Sequence, residues 1–395
     1  MKKIFLTLSA SVLSFFVMAQ TEAGPYKFTN VVDLPATSVK NQGSSGTCWS
    51  FSGVSFIESE VLRIGKESLD LSDMFVVREC YDAKAKKYVR MHGKLNFGQG
   101  GAFHDVTWVI KNFGIVPEEV YTGLKIGGEV HLHSEMEAML KGQVEAIAAN
   151  KNKKLSPVWQ GVLNSTLDAY LGEIPEEFEY EGKKYTPKSF AEEKVGLNMD
   201  DYVEIGSFTH HPFYSKFAIE IPDNWMWDDI YNVPIDELEE IVDYALENGY
   251  TVAWGSDVSE KGFATKTKGV AVIPDVSRDN APDAEIDKWE SLTTSEKENK
   301  MYKLDKPVKE MLITQELRQE AFDDFRTTDD HGMHITGMVQ DQEGNKFYKV
   351  KNSWGDYNAF DGYFYCSKSF FRFKTIDVMV HKNAIPPAIR KKLGL

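Results

Sequence analysis

Residues 42–56 read Gln42-Gly43-Ser44-Ser45-Gly46-Thr47-Cys48-Trp49-Ser50-Phe51-Ser52-Gly53-Val54-Ser55-Phe56. A glycine- and serine-rich turn delivers one cysteine to the start of an apolar run that continues through Ile57, Val61 and Leu62. Apolar residues fall on nearly every face of the implied helix, so that helix is expected to be buried. A cysteine in its first turn faces unpaired backbone N–H groups and the positive end of the helix dipole. Both favour the thiolate, which is the nucleophilic form, and make Cys48 a candidate nucleophile. Most free cysteines are only small buried hydrophobes, so the assignment needs chemical partners elsewhere in the chain. Gln42 supplies one candidate, an amide donor beside the Cys48 N–H where an oxyanion would form.

Two further partners stand far downstream. The runs Asp330-His331-Gly332-Met333-His334-Ile335-Thr336-Gly337 and Phe347-Tyr348-Lys349-Val350-Lys351-Asn352-Ser353-Trp354-Gly355 read as strands. Between them lies Asp341-Gln342-Glu343-Gly344-Asn345, a hairpin turn by composition. Folding the chain about residues 342–343 sets Asn352 within a residue or two of His331. Its carbonyl can then accept the imidazole's second N–H, fixing tautomer and orientation. Trp354 is placed to cover that bond from water. His331 and His334 are three residues apart and fall on opposite faces of a strand, so only one can point at a cleft.

Taken together, Asn41-Gln42-Gly43-Ser44-Ser45-Gly46-Thr47-Cys48-Trp49-Ser50-Phe51 and this distant pair resemble the nucleophile segment and the histidine and asparagine strands of papain-like cysteine peptidases, in the bleomycin hydrolase or aminopeptidase C branch. The resemblance implies an α+β, papain-like fold. A helical left half carries the nucleophile helix, and a β-barrel-like right half carries the histidine and asparagine, with a largely helical insertion. The family's histidine stands six residues before the glycine found here at Gly337, which selects His331. Cys48, His331, Asn352 and Gln42 are the implied catalytic residues. Gly100 and Gly101, in Gly98-Gln99-Gly100-Gly101-Ala102-Phe103, are expected to line the substrate cleft, because glycine lets a peptide backbone approach closely. Trp354 and Leu395 complete the candidate substrate-binding set.

Cys48 and His331 lie roughly twice as far apart as the ~130–150 residues that papain-like enzymes need. The excess falls in divergent stretches at about 121–227 and 261–323, and insertions of this kind resemble the bleomycin hydrolase branch. Bleomycin hydrolases are also similar in ending with an arm that lies in their own cleft. By that resemblance residues 384–395, which show no periodic core pattern, would bring the Leu395 carboxylate to a substrate's free amine.

Residues 1–19 read as an export signal. Lys2 and Lys3 precede a fifteen-residue apolar stretch, residues 4–18, that is too short for a comfortable membrane span, and Val17-Met18-Ala19 is a plausible cleavage signal. Residues 20–395 are read as one peptidase domain. The short stretch before Cys48 leaves no room for an inhibitory pro-segment. The N-terminal extension usual in the branch, where the resemblance implies a homo-oligomer, a hexamer, is not found here. A formal charge of −15 disfavours nucleic acid and anionic membranes as partners. Of three cysteines, Cys80 and Cys366 are left for at most one disulfide, and nothing demands it. Ser45 and Gly98 stand where exported papain-like enzymes carry bridging cysteines. His131 with His133 and His210 with His211 lack the spacing and cysteines of a metal site, so no metal or other cofactor is expected.

These readings converge on an exported cysteine peptidase acting on peptides, most simply an aminopeptidase. The alternatives are an endopeptidase with an open cleft, a non-catalytic binding protein of the same fold, or an acyltransferase using amines in place of water.

Overall fold

The computed structural model describes residues 20–23, 25–151, 154–277 and 286–395. The expected export signal at residues 1–19 lies outside them. The nucleophile run forms the helix Cys48–Arg63, and every residue from Trp49 to Val61 is buried. Its apolar faces are enclosed by the helices Asp73–Arg90 and Phe103–Phe113, with Ser134–Ala148 and Val158–Leu171 packed beyond them. Ser72 caps the second helix by accepting the Phe75 N–H at 3.0 Å. The buried glutamates of the nucleophile helix have partners, as buried charges must. Glu58 accepts the Leu71 N–H at 2.8 Å and lies 3.4 Å from Lys40 Nζ. Glu60 pairs with Arg63 at 2.7 Å.

The other half is a twelve-stranded sheet. Its main path runs Lys216–Ala218, Asp229–Asn232, Tyr202–Gly206, Thr375–His381, Val252–Ser256, His331–Gln340, Lys346–Lys351, Tyr363–Ser367, Val270–Ala271, Phe263–Ala264. Among the described residues no pairing joins the two ends, so this half is an open sheet, not the barrel-like closure expected. The helix Ile235–Glu247 and the aromatic-rich helix Lys368–Lys374 help build its core.

The strand His331–Gln340 organises the sheet. One edge pairs with Lys346–Lys351, from His334 opposite Lys351 to Gln340 opposite Lys346, so the expected hairpin forms. The other edge pairs first with Val252–Ser256, then with Tyr26–Asp33. Gly332 lies against the nucleophile helix so closely that a Cβ there would sit 2.8 Å from Ser52 Oγ and 3.0 Å from Trp49 Cα. Glycine at 332 is therefore what lets the two halves touch.

The first divergent stretch carries the helices Ser134–Ala148, Val158–Leu171 and Pro187–Phe190, and it also adds the hairpin Phe178–Tyr180 and Lys183–Tyr185 and strands of the main sheet from Tyr202 onward. One other expectation is corrected. The tail is not an unpatterned arm. Pro387 opens the helix Pro387–Leu393, which buries Ile389 and Leu393 in the sheet-side core, and Lys392 pairs with Glu237 at 2.6 Å. Cys80 and Cys366 are both buried and unpaired. No helix among the described residues is long and apolar enough to cross a membrane.

Candidate active site

The turn before Cys48 is rigid because its polar groups are satisfied locally. Ser45 Oγ donates to the Gln42 carbonyl at 2.7 Å, and Gly46 N–H donates to Gln99 Oε1 at 2.7 Å. Thr47 occupies the N-cap position without a side-chain cap, so no side chain claims the first-turn N–H groups. Gln42 is buried and clamped. Its Oε1 accepts from Ser353 Oγ at 2.6 Å, and its Nε2 donates to the Ser45 carbonyl at 2.7 Å. An amide nitrogen carries two hydrogens, so one N–H of Gln42 is left over.

Cys48 and His331 line one cavity of about 150 Å³, together with Gly100 and Gly101. His331 Nε2 lies 2.8 Å from Asn352 Oδ1, which also accepts the Ser353 N–H at 2.8 Å. The Ser353 donor fixes that atom as oxygen, so His331 must carry its hydrogen on Nε2 and present Nδ1 as an acceptor. The Trp354 ring stacks on His331 at 4.8 Å between centroids. The glycines are there for space. A Cβ at Gly101 would lie 2.8 Å from the Trp49 ring, and one at Gly100 would lie 1.8 Å from Asp223 Oδ2.

His334 faces away from this cavity. It is buried against the nucleophile helix, with Nδ1 2.9 Å from Ser55 Oγ. Ser55 also accepts from Lys351 Nζ at 2.7 Å. Lys351 is a buried lysine that sequence reading passed over, and burial pushes its ammonium down to about 8.

Burial opposes the helix start at the thiol. Burial pushes Cys48 up to about 12, the backbone N–H groups of Gly332 and Trp49 pull the other way, and the Asp329 and Asp223 carboxylates add to the rise. Burial also pushes His331 down to about 4. Attack on a carbonyl requires the Cys48 proton to pass to the imidazole, whose Nδ1 is free of the Asn352 bond. Iodoacetamide should still alkylate Cys48 at least about a hundredfold faster than Cys80 or Cys366 in the native protein. Mass spectrometry of timed samples reads this; equal native rates for the three thiols would discard the activated pair.

The sequence profile described as the Peptidase C1-like family matches residues 17–394. The chain belongs to that family. Its curated relatives place this peptidase in the aminopeptidase C branch of the papain-like cysteine peptidases. It is 23% identical to Aminopeptidase C of Streptococcus thermophilus over 90% of this chain and 83% of the relative. It is also 23% identical to Aminopeptidase G of Lactobacillus delbrueckii subsp. lactis, over 89% of this chain and 82% of the relative. The solved PepW from Lactobacillus rhamnosis superposes with a TM-score of 0.67 at 19% identity, over 93% of this chain and 84% of that one.

One placement in the peptidase differs from expectation. Leu395 does not line the Cys48 cavity. It lines a neighbouring one of about 370 Å³ with His104, Tyr202, Glu204 and Met379. His131 and His133 pack, buried, beside the nucleophile turn. His210, His211 and Glu220 are the one group among the described residues whose atoms lie close enough to hold an ion. However, Gln319 Nε2 donates to His210 Nδ1 at 3.0 Å while its Oε1 accepts the Thr209 N–H at 2.6 Å. That pins the hydrogen of His210 on Nε2, 3.0 Å from Glu220, and makes the cluster a hydrogen-bonded one.

Sequence reading also missed Asp223, Asp329 and Asp377, which line the Cys48 cavity. Asp377 left a trace, a lone charge within the otherwise apolar strand Thr375–His381. Asp223 left none.

Proposed function

We propose that this peptidase is an exported aminopeptidase that cleaves peptide bonds through a thioester on Cys48. The observation that carries the reading is His331, held by Asn352 with Nδ1 as its acceptor and lining the same cavity as Cys48. In the proposed cycle Nδ1 takes the Cys48 proton as sulfur attacks the peptide carbonyl carbon. The oxyanion forms against the Cys48 N–H and the unclaimed N–H of Gln42. Collapse expels the amine, which receives the proton from Nδ1. Nδ1 then takes a proton from water, whose oxygen attacks the thioester and restores the thiol. Gly100 and Gly101 give the substrate backbone its close approach. The names of the curated relatives support the aminopeptidase activity. Export rests on residues 1–19, and cell fractionation with and without them tests it.

One observation favours the endopeptidase reading: Leu395 lies in the adjacent cavity, which leaves the Cys48 cavity without the expected terminal carboxylate. The deciding measurement is kcat/KM on matched peptides with free and acetylated N termini. The aminopeptidase should favour the free amine by at least about tenfold, the worth of one charge-assisted hydrogen bond. Deleting Gly394 and Leu395 should shift that ratio by no more than about twofold. Equal rates on both peptides would make it an endopeptidase, and no hydrolysis of either would make it a binding protein. Capture of a labelled amine in place of water would indicate acyl transfer.

A further inference from the structure

The cavity beside Cys48 holds more carboxyl groups than the proposed chemistry uses. Asp223, Asp329 and Asp377 line it, with Asp330 at its edge. Asp377 is 5% exposed, and its carboxylate has no hydrogen bond or ion pair to another residue among those described. The backbone is shaped to present it. The register slips between Thr375 and Asp377, adding one residue opposite Ser256 and Gly255, the kind of bulge that re-aims a side chain. Across the strand, a Cβ at Gly255 would lie 2.4 Å from Asp377 Oδ1. Gly255 and Gly100 thus vacate the volume that the Asp377 and Asp223 carboxylates fill.

The nearest cations are already engaged. Lys84 Nζ donates to the Gly98 carbonyl at 2.9 Å and also to the Gly100 carbonyl, and its charge acts on Asp105 and Asp223. His104 is held by Glu204 at 2.7 Å. Asn96 donates to Asp223 at 3.1 Å. Asp329 has no counter-ion among the described residues, and Asp377 feels the charge of His104 without forming an ion pair to it. Burial, reinforced by the neighbouring carboxylates, pushes Asp329 up to about 8 and raises Asp377 well above the carboxylate range. The empty cavity therefore favours the neutral acids, and an entering cation would favour their ionised forms.

We infer that this cavity is a subsite for an organic cation of the substrate, an alkylammonium or guanidinium group held by Asp377 at its floor and by Asp329 and Asp223 at its walls. The inference builds on the peptidase reading but requires no contribution from Leu395. The cation has two chemical sources, the free N terminus of a short peptide or a lysine or arginine side chain upstream of the scissile bond.

The first test reads Cys48 without catalysis, in the full-length protein. Cys48 is modified with cationic 2-aminoethyl methanethiosulfonate and with neutral methyl methanethiosulfonate, and the rate ratio is compared between wild type, Asp377→Asn and Asp329→Asn. Each substitution should lower the cationic-to-neutral ratio about tenfold or more. The second test takes kcat/KM ratios in two arms, free against acetylated N terminus, and lysine against norleucine upstream of the cut. A fall confined to the first arm identifies the terminal amine, and a fall confined to the second identifies the side chain; either supports the subsite. Ratios unmoved in both arms and with both reagents overturn it. Should Asp377→Asn fail to fold, Asp329→Asn carries the test alone. A wild-type protein that hydrolyses nothing yet keeps its reagent preference would sink the peptidase reading and leave the subsite supported.

Discussion

Cys48→Ala is expected to abolish peptide hydrolysis while leaving the fold intact, because the sulfur is the only group in the cavity that can form the acyl bond. His331→Ala should lose at least about 10⁴-fold in kcat/KM, the scale on which removing one member of a cooperating nucleophile–base pair acts. His334→Gln should stay within about tenfold of wild type and appear instead as lost stability, about 1–3 kcal/mol, because the buried Ser55 and Lys351 would be left less well satisfied. Steady-state kinetics and thermal melts on the three variants separate these outcomes. If His334→Gln is the inactive protein and His331→Ala is not, the imidazole that serves Cys48 has been misassigned.

Removing the chain from Ala388 onward should unfold the protein, not open its cleft. The helix Pro387–Leu393 places Ile389 and Leu393 in the sheet-side core, both nearly inaccessible. Each large buried aliphatic residue is worth about 2–5 kcal/mol, so the two together rival the 5–15 kcal/mol that typically separates folded from unfolded chains. The Lys392–Glu237 pair adds little, its lysine being half exposed. Circular dichroism and size exclusion of the truncated chain test this. A folded, monodisperse truncate that gains activity on acetylated peptides would reinstate an inhibitory arm.

The contrast between those two cases explains what the sequence revealed. The nucleophile helix was legible because it is long and apolar all round, and the His331–Asn352 pairing because one composition-marked turn sets the register between two strong strands. The terminal helix was not. Seven residues hold a single i, i+4 apolar pair, too little for periodicity to register, although Pro387 at the first helical position was a usable signal. The strands Lys216–Ala218 and Asp229–Asn232 were hidden for the same reason, since three or four residues cannot show alternation. The burial and the carboxylates that oppose the helix start at the thiol were not legible, because the helix N terminus is local in sequence, whereas Asp223, Asp329 and the surrounding burial are assembled only by the fold. The cavity carboxylates illustrate the limit: Asp223 and Asp377 meet across the junction of the two halves, and no spacing within one segment encodes that meeting.

The strand His331–Gln340 accepts Tyr26–Asp33 along the far part of one edge, joining residues some 300 positions apart in the chain. That seam joins one of the first described strands to one in the last fifth of the chain, so a ribosome has released most of the chain before it can close. Loop-closure entropy of that size is met only late, after local helices have formed. A nascent chain ending before Asn352 holds a finished nucleophile helix but an imidazole with nothing to orient it. Hydrolytic competence would therefore arrive in one step with the final strands, and partly synthesised chains would be inert toward their neighbours.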